Sequence, residues 1–586
     1  MRLGKIAGLL LAAGLLALSV TTAVLAARGR VAGAKTPATE HLGCVSTGGT
    51  LTAYQENDFE NLDPGIAYYS TDYTVVYATQ RPLYSYMPNS TQEVPDLAEG
   101  PPALSDNGRT VTVRLKSGVH FSPPVNREVT ADDVAYAIER AANPDVGNPY
   151  FQSYFASIEG AEAAQGGQIR GIQTPTPHEI VFHLTRPLGL FVSRALALPV
   201  TAPVPREYAT PLDRRHPSAY GSHQVATGPY MLKSDAAGTV EGIGYVPGRS
   251  ATLVRNPNWN PATDFRPACL DEVKVAIGGF GGELARLTMR ASAAVDVEEI
   301  SSPGILASAQ RAGDLELSPG AGMHYIGLNN KVGPFRNEEL RKALWAALDK
   351  ESLDAFAGGH RLTTSATHFI YPTIDGFRAA GGYTGPRGRA YAFDHHPRGD
   401  LRLARTYMRR AGYPSGRYTG TRPVSIVAGE GPPARERAEL INRTLHELGF
   451  RTHLLLVPTY VMYGKYCNVP RREITVCPSV GWLADFSDPQ TVLNITFNGH
   501  FISETGNVNW SQVDMPWLNR RMREAEAINN PVRRERAWAA VDDALVRRAV
   551  AIPLEWDTQP HIEGSVNGVG DLWNLGSWDY SFTSLR

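Results

Sequence analysis

Between Val424 and Val457 the hydrophobic pattern changes period twice. Val424 to Ala428 is a short apolar run. Ala438, Ile441, Leu445 and Leu448 then recur at three and four residues, and Thr452 to Val457 alternates polar with apolar. Period two marks a strand and period 3.6 a helix, so the segment predicts strand, helix (about Ala434 to Leu448, closed by Gly449) and strand. That is a βαβ unit, and it requires a parallel sheet in the C-terminal half of the chain. Other stretches can be placed in the same way. Val111, Val113 and Leu115 alternate on one strand face, and Gly49 to Tyr54 reads as a strand followed by a turn at Leu62 to Gly65. Thr130 with Asp133 three residues on is a capping pattern opening a helix whose inner face is Val134, Ile138 and Ala141. Asn337, followed by Glu338 and Glu339, opens another with Leu340, Leu344, Ala347 and Leu348 inward. Pro531 starts a last long helix to about Val550, with Ala537, Val541, Ala544 and Leu545 inward. No repeat occurs at a solenoid period. The fold class is α/β.

The chain has 586 residues, enough for two to four compact units at roughly 150 residues each. Lys plus Arg is 57 against 58 for Asp plus Glu, so no excess of positive charge exists to neutralise a phosphate backbone, and nucleic acid is not an expected partner. Arg2 and Lys5 precede an uncharged run from Ile6 to Ala27. This is an export leader. As a helix it would reach about 33 Å, enough to cross a bilayer core of about 30 Å. Cleavage near Ala26 or Ala27, retention as an N-terminal anchor and lipidation at Cys44 are therefore the three fates open to residues 1–27, which lead into a linker over 28–47. An exported chain with 4 cysteines points to two disulfides rather than metal ligation. Cys467 and Cys477 bracket a short loop without zinc-ribbon spacing. Cys44 and Cys269 each precede a strand-like run, and they pair if those strands lie side by side.

Reactive motifs are missing from the sequence. There is no P-loop, no HExxH and no G-x-S-x-G elbow. The glycine run at 278–282 lacks the rest of a dinucleotide fingerprint. His395 and His396 point apart as sequence neighbours and read as a solvated loop, and Asp542 with Asp543 reads as the outer face of a helix. No catalytic residue, metal site or cofactor is expected. An exported protein of several α/β units, rich in Tyr (25) and Phe (18), reads as a binder with an apolar cleft.

A series of short segments then narrows the reading. GGTLTAY and LDP at 62 to 64, RPLYSY at 81 to 86, PDLAEG at 95 to 100, and TVRLKSGVHFSPPVNREVTADDVAYAIERA at 112 to 141 come first. ATGPYML at 226 to 232, LVRNPNWNP at 253 to 261, YIGLNNKVGPFRNEELRKALWAALDK at 325 to 350, GWLADFSDP at 481 to 489 and IPLEW at 552 to 556 follow in order. Taken together, the chain resembles the family 5 extracellular solute-binding proteins of ABC importers, the oligopeptide, dipeptide and nickel-binding group. It departs from that pattern at Ser122-Pro123-Pro124 and at Ala226, where the family usually has glycine.

The resemblance implies a two-lobed periplasmic-binding-protein type II fold with an extra subdomain. Lobe I comprises 48–88, 224–322 and 553–586, the inserted subdomain 89–223 and lobe II 323–552, with hinge crossovers near Tyr325 to Asn329 and Ala551 to Trp556. It implies an exported, extracytoplasmic, monomeric, non-enzymatic protein that captures a peptide ligand and delivers it to ABC permease subunits at the membrane. The alternatives are a surface regulator on the same fold, a binder of a nickel chelate or other small solute, and, weakest, a cell-wall hydrolase. In peptide-binding members the acid at the position of Asp485 holds the peptide α-ammonium, and Trp482 walls the cleft. A desolvated ammonium requires such an anionic partner, and extended peptide backbone is held by strand-like hydrogen bonds. Tyr68, Tyr69, Asn329 and Trp510 are further expected contacts, and Asp488 before Pro489 is expected to cap a helix.

Overall fold

The structure, a computed structural model, describes residues 43–55, 57–278, 294–296, 303–359, 363–504, 506–568 and 570–586. The apolar leader, most of the linker and the glycines at 279–282 lie outside the described residues.

Three sheets organise the molecule. In the first, Thr50–Gln55 pairs in parallel with Glu272–Ile277, which is followed outward by Ser250–Arg255 and Tyr230–Leu232 in antiparallel order. The second is a four-stranded antiparallel sheet in which Thr110–Arg114 pairs with Ala103–Ser105 and Glu179–His183, the latter continuing to Ile172–Thr176. In the third, the expected βαβ unit is present: Val424–Gly429 pairs in parallel with Thr452–Val457 around the helix Ala434–Glu447, and Val476–Leu483 lies beside them. Two long antiparallel strands, Leu315–Leu328 and Ala551–Ile562, complete this sheet. Their register shifts twice, between Pro319 and Met323 and again between His324 and Tyr325.

The helix beside the four-stranded sheet is fixed to the turn at 62–65 by a buried ion pair. The helix Ala131–Ala141 begins at the predicted box, where Thr130 N–H donates to Asp133 at 2.8 Å. Its far end carries Arg140, which grips Asp63 of the LDP turn through two bonds of 2.8 Å. Arg81 and Asp96, from two of the short motifs, pair at 2.8 Å with both side chains buried, and Arg266 closes on the other Asp96 oxygen at 2.5 Å. Removing one member of such a pair leaves an uncompensated buried charge.

Both cysteine pairs form. Cys44–Cys269 joins the starts of the two parallel strands Thr50–Gln55 and Glu272–Ile277, and Cys467–Cys477 closes the short loop. Their sequence separations are 225 and 10. In the chain-entropy account the long loop is worth about 5 kcal/mol and the short one about 3. Cys44→Ser with Cys269→Ser is therefore expected to lower the denaturation midpoint more than Cys467→Ser with Cys477→Ser, as measured by urea titration under non-reducing conditions. The reverse order would show that native-state effects outweigh loop closure.

The last helix differs from its expected outline. It runs Pro531–Arg547 and stops short of Val550, because Ala549 turns to a φ of +45°. Its inner stripe is Arg534, Trp538, Val541, Asp542 and Leu545, while Ala537 and Ala544 are only half-buried. Asp542 is fully buried and not on the outer face as expected. Its carboxylate accepts from the backbone of Phe369 and Ile370 at 3.0 Å each and meets His368 Nδ1 at 3.0 Å. A buried acid is tolerated there because backbone donors and an imidazole replace its water. The pair His395 and His396 is exposed, as expected of a solvated loop.

Candidate functional site

The strand Val476–Leu483 is held on one side by Val424–Gly429 and on the other by Leu315–Leu328. Its carboxyl end releases Ala484, Asp485 and Phe486 toward Tyr154 and Phe191, at the place where open α/β sheets bind ligands. Two anchors fix this exit. Ala484 N–H donates to the Tyr371 hydroxyl at 2.7 Å, and Asp488 caps the helix Pro489–Phe497, accepting from Gln490 N–H at 2.9 Å while Arg534 holds its carboxylate at 2.7 and 2.9 Å.

Asp485 is 8% exposed. Its carboxylate accepts from the hydroxyl of Tyr154, which reaches it from the helix Phe151–Tyr154 on the opposing side. Among the described residues no basic side chain pairs with Asp485. Burial pushes its carboxyl up to about 7, against the bond from Tyr154, which lowers it. The phenols of Tyr68, Tyr73, Tyr154 and Tyr371 are all held well above their ordinary value by burial first, with the Asp485 charge the next cause at Tyr68 and Tyr154 and a smaller one at Tyr73 and Tyr371. The site therefore has one carboxylate, phenol hydroxyls around it and a low local dielectric. A cation entering such a site would be held strongly, whereas an anion would be repelled.

The expected site residues fall into two groups. Tyr68 is half-buried, and its ring lies 6.0 Å from Tyr150, which is in turn 6.0 Å from Tyr154, so a row of three rings ends at Asp485. Tyr69 stands edge-on to Tyr68 at 5.4 Å and is 52% exposed, which puts it at the outer end of that row. Asp72 fixes both tyrosines, accepting from the backbone of Tyr68 and Tyr69 as well as Glu60 and Asn61. Trp482 is half-buried, three residues before Asp485; its indole donates to Thr491 O at 2.7 Å and its ring is 6.2 Å from Trp510. Trp510 is buried and donates to Asn468 at 2.6 Å.

Asn329 is placed differently. It is 4% exposed, its amide nitrogen donates to Ile474 O at 3.0 Å, and its oxygen accepts from Lys331 and Val332 N–H. This side chain shapes the turn after Leu315–Leu328. The residues not anticipated are Tyr150, Tyr154, Tyr371 and Tyr73. The segment Tyr150-Phe151-Gln152-Ser153-Tyr154-Phe155 carries a visible signal, two tyrosines four apart on one helical face. Tyr371 has no local signal of that kind.

The two sides also meet around this point. Phe486 packs against Tyr154 at 5.0 Å and Phe191 at 5.7 Å. Ser487 N–H donates to Tyr86 at 3.2 Å, Arg194 bonds Asp375 at 2.7 Å, and Arg186 pairs with Glu526.

Comparisons with known proteins bear on the family and the fold. The model of bacterial extracellular solute-binding proteins, family 5 Middle, matches residues 92–503. Heme-binding protein A of Haemophilus influenzae is 23% identical over 487 residues, covering 80% of each chain. Di/tripeptide-binding protein 3 of Pseudomonas aeruginosa is 21% identical, covering 87% of this chain and 90% of that protein. Among solved structures, clavulanic acid biosynthesis oligopeptide binding protein 2 superposes with a TM-score of 0.79 at 25% identity, covering 95% of this chain and 100% of the other. Among the described residues no helix is long and apolar enough to cross a membrane.

Proposed function

The chain belongs to the family 5 bacterial extracellular solute-binding proteins, and from that premise we propose that it captures peptides between its two lobes and hands them unaltered to the membrane subunits of an ABC importer. The observation that carries this reading is Asp485, a buried carboxylate whose neighbours are phenols and not cations. The α-ammonium of a peptide supplies the missing positive charge, and each of its N–H groups can make a charge-assisted bond to Asp485. A peptide lying along the outer strands needs no sequence-specific contacts for its backbone. Relatives named for di- and tripeptides and for an oligopeptide support peptide as the solute.

In this reading Asp485 is the anchor, Trp482 and Trp510 form the lobe II wall, and Tyr68 and Tyr69 line the approach from the other lobe. Asn329 contributes by holding the turn that ends one crossover. Residues 48–88, 224–322 and 553–586 form lobe I with 89–223 inserted, and 323–552 form lobe II. The strands Leu315–Leu328 and Ala551–Ile562 act as the hinge, absorbing closure in a few backbone angles near their register shifts. Nothing in the proposed cycle makes or breaks a covalent bond, and a monomer suffices for it.

The test is a thermal-shift survey of a mixed library of two- to five-residue peptides. Ligand at about 100 times its dissociation constant stabilises the folded state by about 2.7 kcal/mol, which is expected to raise Tm by a few degrees. No shift with any peptide pool, together with a shift from a nickel chelate, haem or a sugar, would reassign the solute.

A further inference from the structure

His324 and Glu555 face each other directly across the antiparallel pair formed by Leu315–Leu328 and Ala551–Ile562. Asp557, two residues farther along the second strand, points to the same face as Glu555 because strand side chains alternate. The three side chains converge. His324 Nδ1 lies 2.8 Å from an Asp557 oxygen and 3.8 Å from Glu555 Oε1, and the donor atoms of all three residues lie within 4.8 Å of one another. Donors held about 2.0–2.2 Å from one tetrahedral ion are themselves about 3.4 Å apart, so an ion entering the triangle replaces the 2.8 Å hydrogen bond between His324 Nδ1 and Asp557, widening that edge by about 0.6 Å and drawing Glu555 in by about 0.4 Å.

The surroundings fit an ion in three further ways. Arg437, from the helix Ala434–Glu447, bonds Glu555 Oε2 at 2.6 Å, which leaves Oε1 turned toward His324. An outer partner of this kind fixes the direction in which a ligating carboxylate presents its free oxygen. The neighbouring strand positions are glycines: a Cβ at Gly322 would stand 2.5 Å from Asp557 Oδ2, and one at Gly481 would stand 2.6 Å from His324 Nε2. Any larger residue at either position would displace one of the donors. The His324 and Asp557 side chains are 33% and 21% exposed, against 8% for Glu555, so the triangle opens to solvent on one side. Against burial, which lowers it, the Asp557 and Glu555 charges hold the His324 imidazole up at about 9, so two cations and two carboxylates leave the cluster formally neutral, and an entering ion displaces the imidazole proton.

We propose that His324, Glu555 and Asp557 form a site for one divalent first-row transition ion, with His324 Nδ1, Glu555 Oε1 and an Asp557 oxygen as ligands. The open side leaves coordination positions for water or for a donor atom of a bound solute. A mixed imidazole and carboxylate set suits Zn²⁺ and its neighbours better than Mg²⁺ or Ca²⁺, which take oxygen ligands. Spacing along the chain does not reveal the site, since His324 and Asp557 are 233 positions apart.

The experiment is calorimetric titration of the whole protein with ZnCl₂ in the absence of peptide, followed by Co²⁺ absorption spectroscopy. One equivalent of Zn²⁺ is expected to bind with micromolar affinity. Asp557→Asn, which keeps the side-chain shape, and His324→Gln are each expected to weaken it at least tenfold, and the visible cobalt bands should change in both. No binding tighter than millimolar would overturn the proposal and leave a plain ion-pair network. One equivalent bound with equal affinity in wild type and both variants would also overturn it, pointing instead to the surface pairs His216–Asp145 or His396–Asp400. Should His324→Gln fail to fold by circular dichroism, Asp557→Asn decides alone. Since no peptide is present, either result leaves the peptide reading untouched.

Discussion

Asp485→Asn is expected to weaken binding of a free-amine peptide by about 30-fold or more, while the same peptide with an acetylated N-terminus binds wild type and variant alike. Truncating one partner of a buried charge pair costs about 2–5 kcal/mol, much of it from leaving the other charge unpaired. Here the unpaired charge would be the ligand's ammonium, enclosed by Tyr68, Tyr150 and Tyr154 and cut off from water. Asparagine keeps the volume and a hydrogen-bond acceptor, so a loss on this substitution reports charge and not packing. Acetylation removes the same interaction from the ligand side. The four affinities form a double-mutant cycle whose coupling term isolates the contact. Measured by calorimetry at pH 7.5, equal affinities in all four combinations would remove Asp485 as the anchor. In wild type the affinity should also fall by up to tenfold per pH unit below about 7, where the Asp485 carboxyl takes up a proton, and fall again above about 8, where the α-amine loses its own. Asp485→Asn should lose the acidic limb.

Much of the fold around the candidate site was legible in the sequence, and the parts that were not share a cause. The strand, helix and strand at 424–457 were readable because period and caps are local properties, and the same holds for Thr130, Asn337 and Asp488, whose side chains bond backbone within three residues. The Cys44–Cys269 bridge was readable because it needed only two flanking strands to be neighbours, as Thr50–Gln55 and Glu272–Ile277 are. Asp542 was misplaced because a carboxylate's surroundings are set by whatever segment packs on it, here the backbone of 368–370, more than 170 residues away. Asn329 was given to the cleft by its place at a crossover, yet its amide oxygen is taken by its own turn and its nitrogen by the distant Ile474 carbonyl. Tyr154 and Tyr371 reach Asp485 and its neighbour from distant segments, and hydrophobic periodicity carries no information about which tyrosine faces which loop. Family resemblance supplied Asp485. The tyrosine shell that sets its chemistry came from the tertiary structure.

The second expected result concerns the protein without ligand: its lobes should part as pH rises through about 7. In the closed form Asp485 is buried and titrates at about 7; in an opened form water reaches it, and it returns to the ordinary value near 3.9. A carboxyl whose value is raised by closure favours the closed state when protonated. That contribution is fully present below about 4, declines as pH rises, and is gone above about 7, where the ionised group opposes closure. A difference of about 3 pK units corresponds to an upper bound of roughly 4 kcal/mol, comparable with the free-energy gaps of a few kcal/mol that separate conformers in two-state proteins. The contacts of Arg194 with Asp375 and of Arg186 with Glu526 oppose opening, so the population shifts and the lobes do not simply fall apart. A peptide ammonium reverses the sign of the effect, because it turns the buried carboxylate from a cost into a partner. Small-angle scattering on ligand-free protein should therefore give a larger radius of gyration at pH 8.5 than at pH 5.5, and saturating peptide should abolish the difference. Asp485→Asn retains Glu93 and Asp375 but has no titrating group at the anchor, so its radius should stay at the compact value across the range. A wild-type radius that does not change with pH, or one that changes equally in Asp485→Asn, would show that this carboxylate does not govern closure. The outcome expected here makes ligand capture and lobe closure one electrostatic event: the cation that fills the site also removes the charge that held the lobes apart.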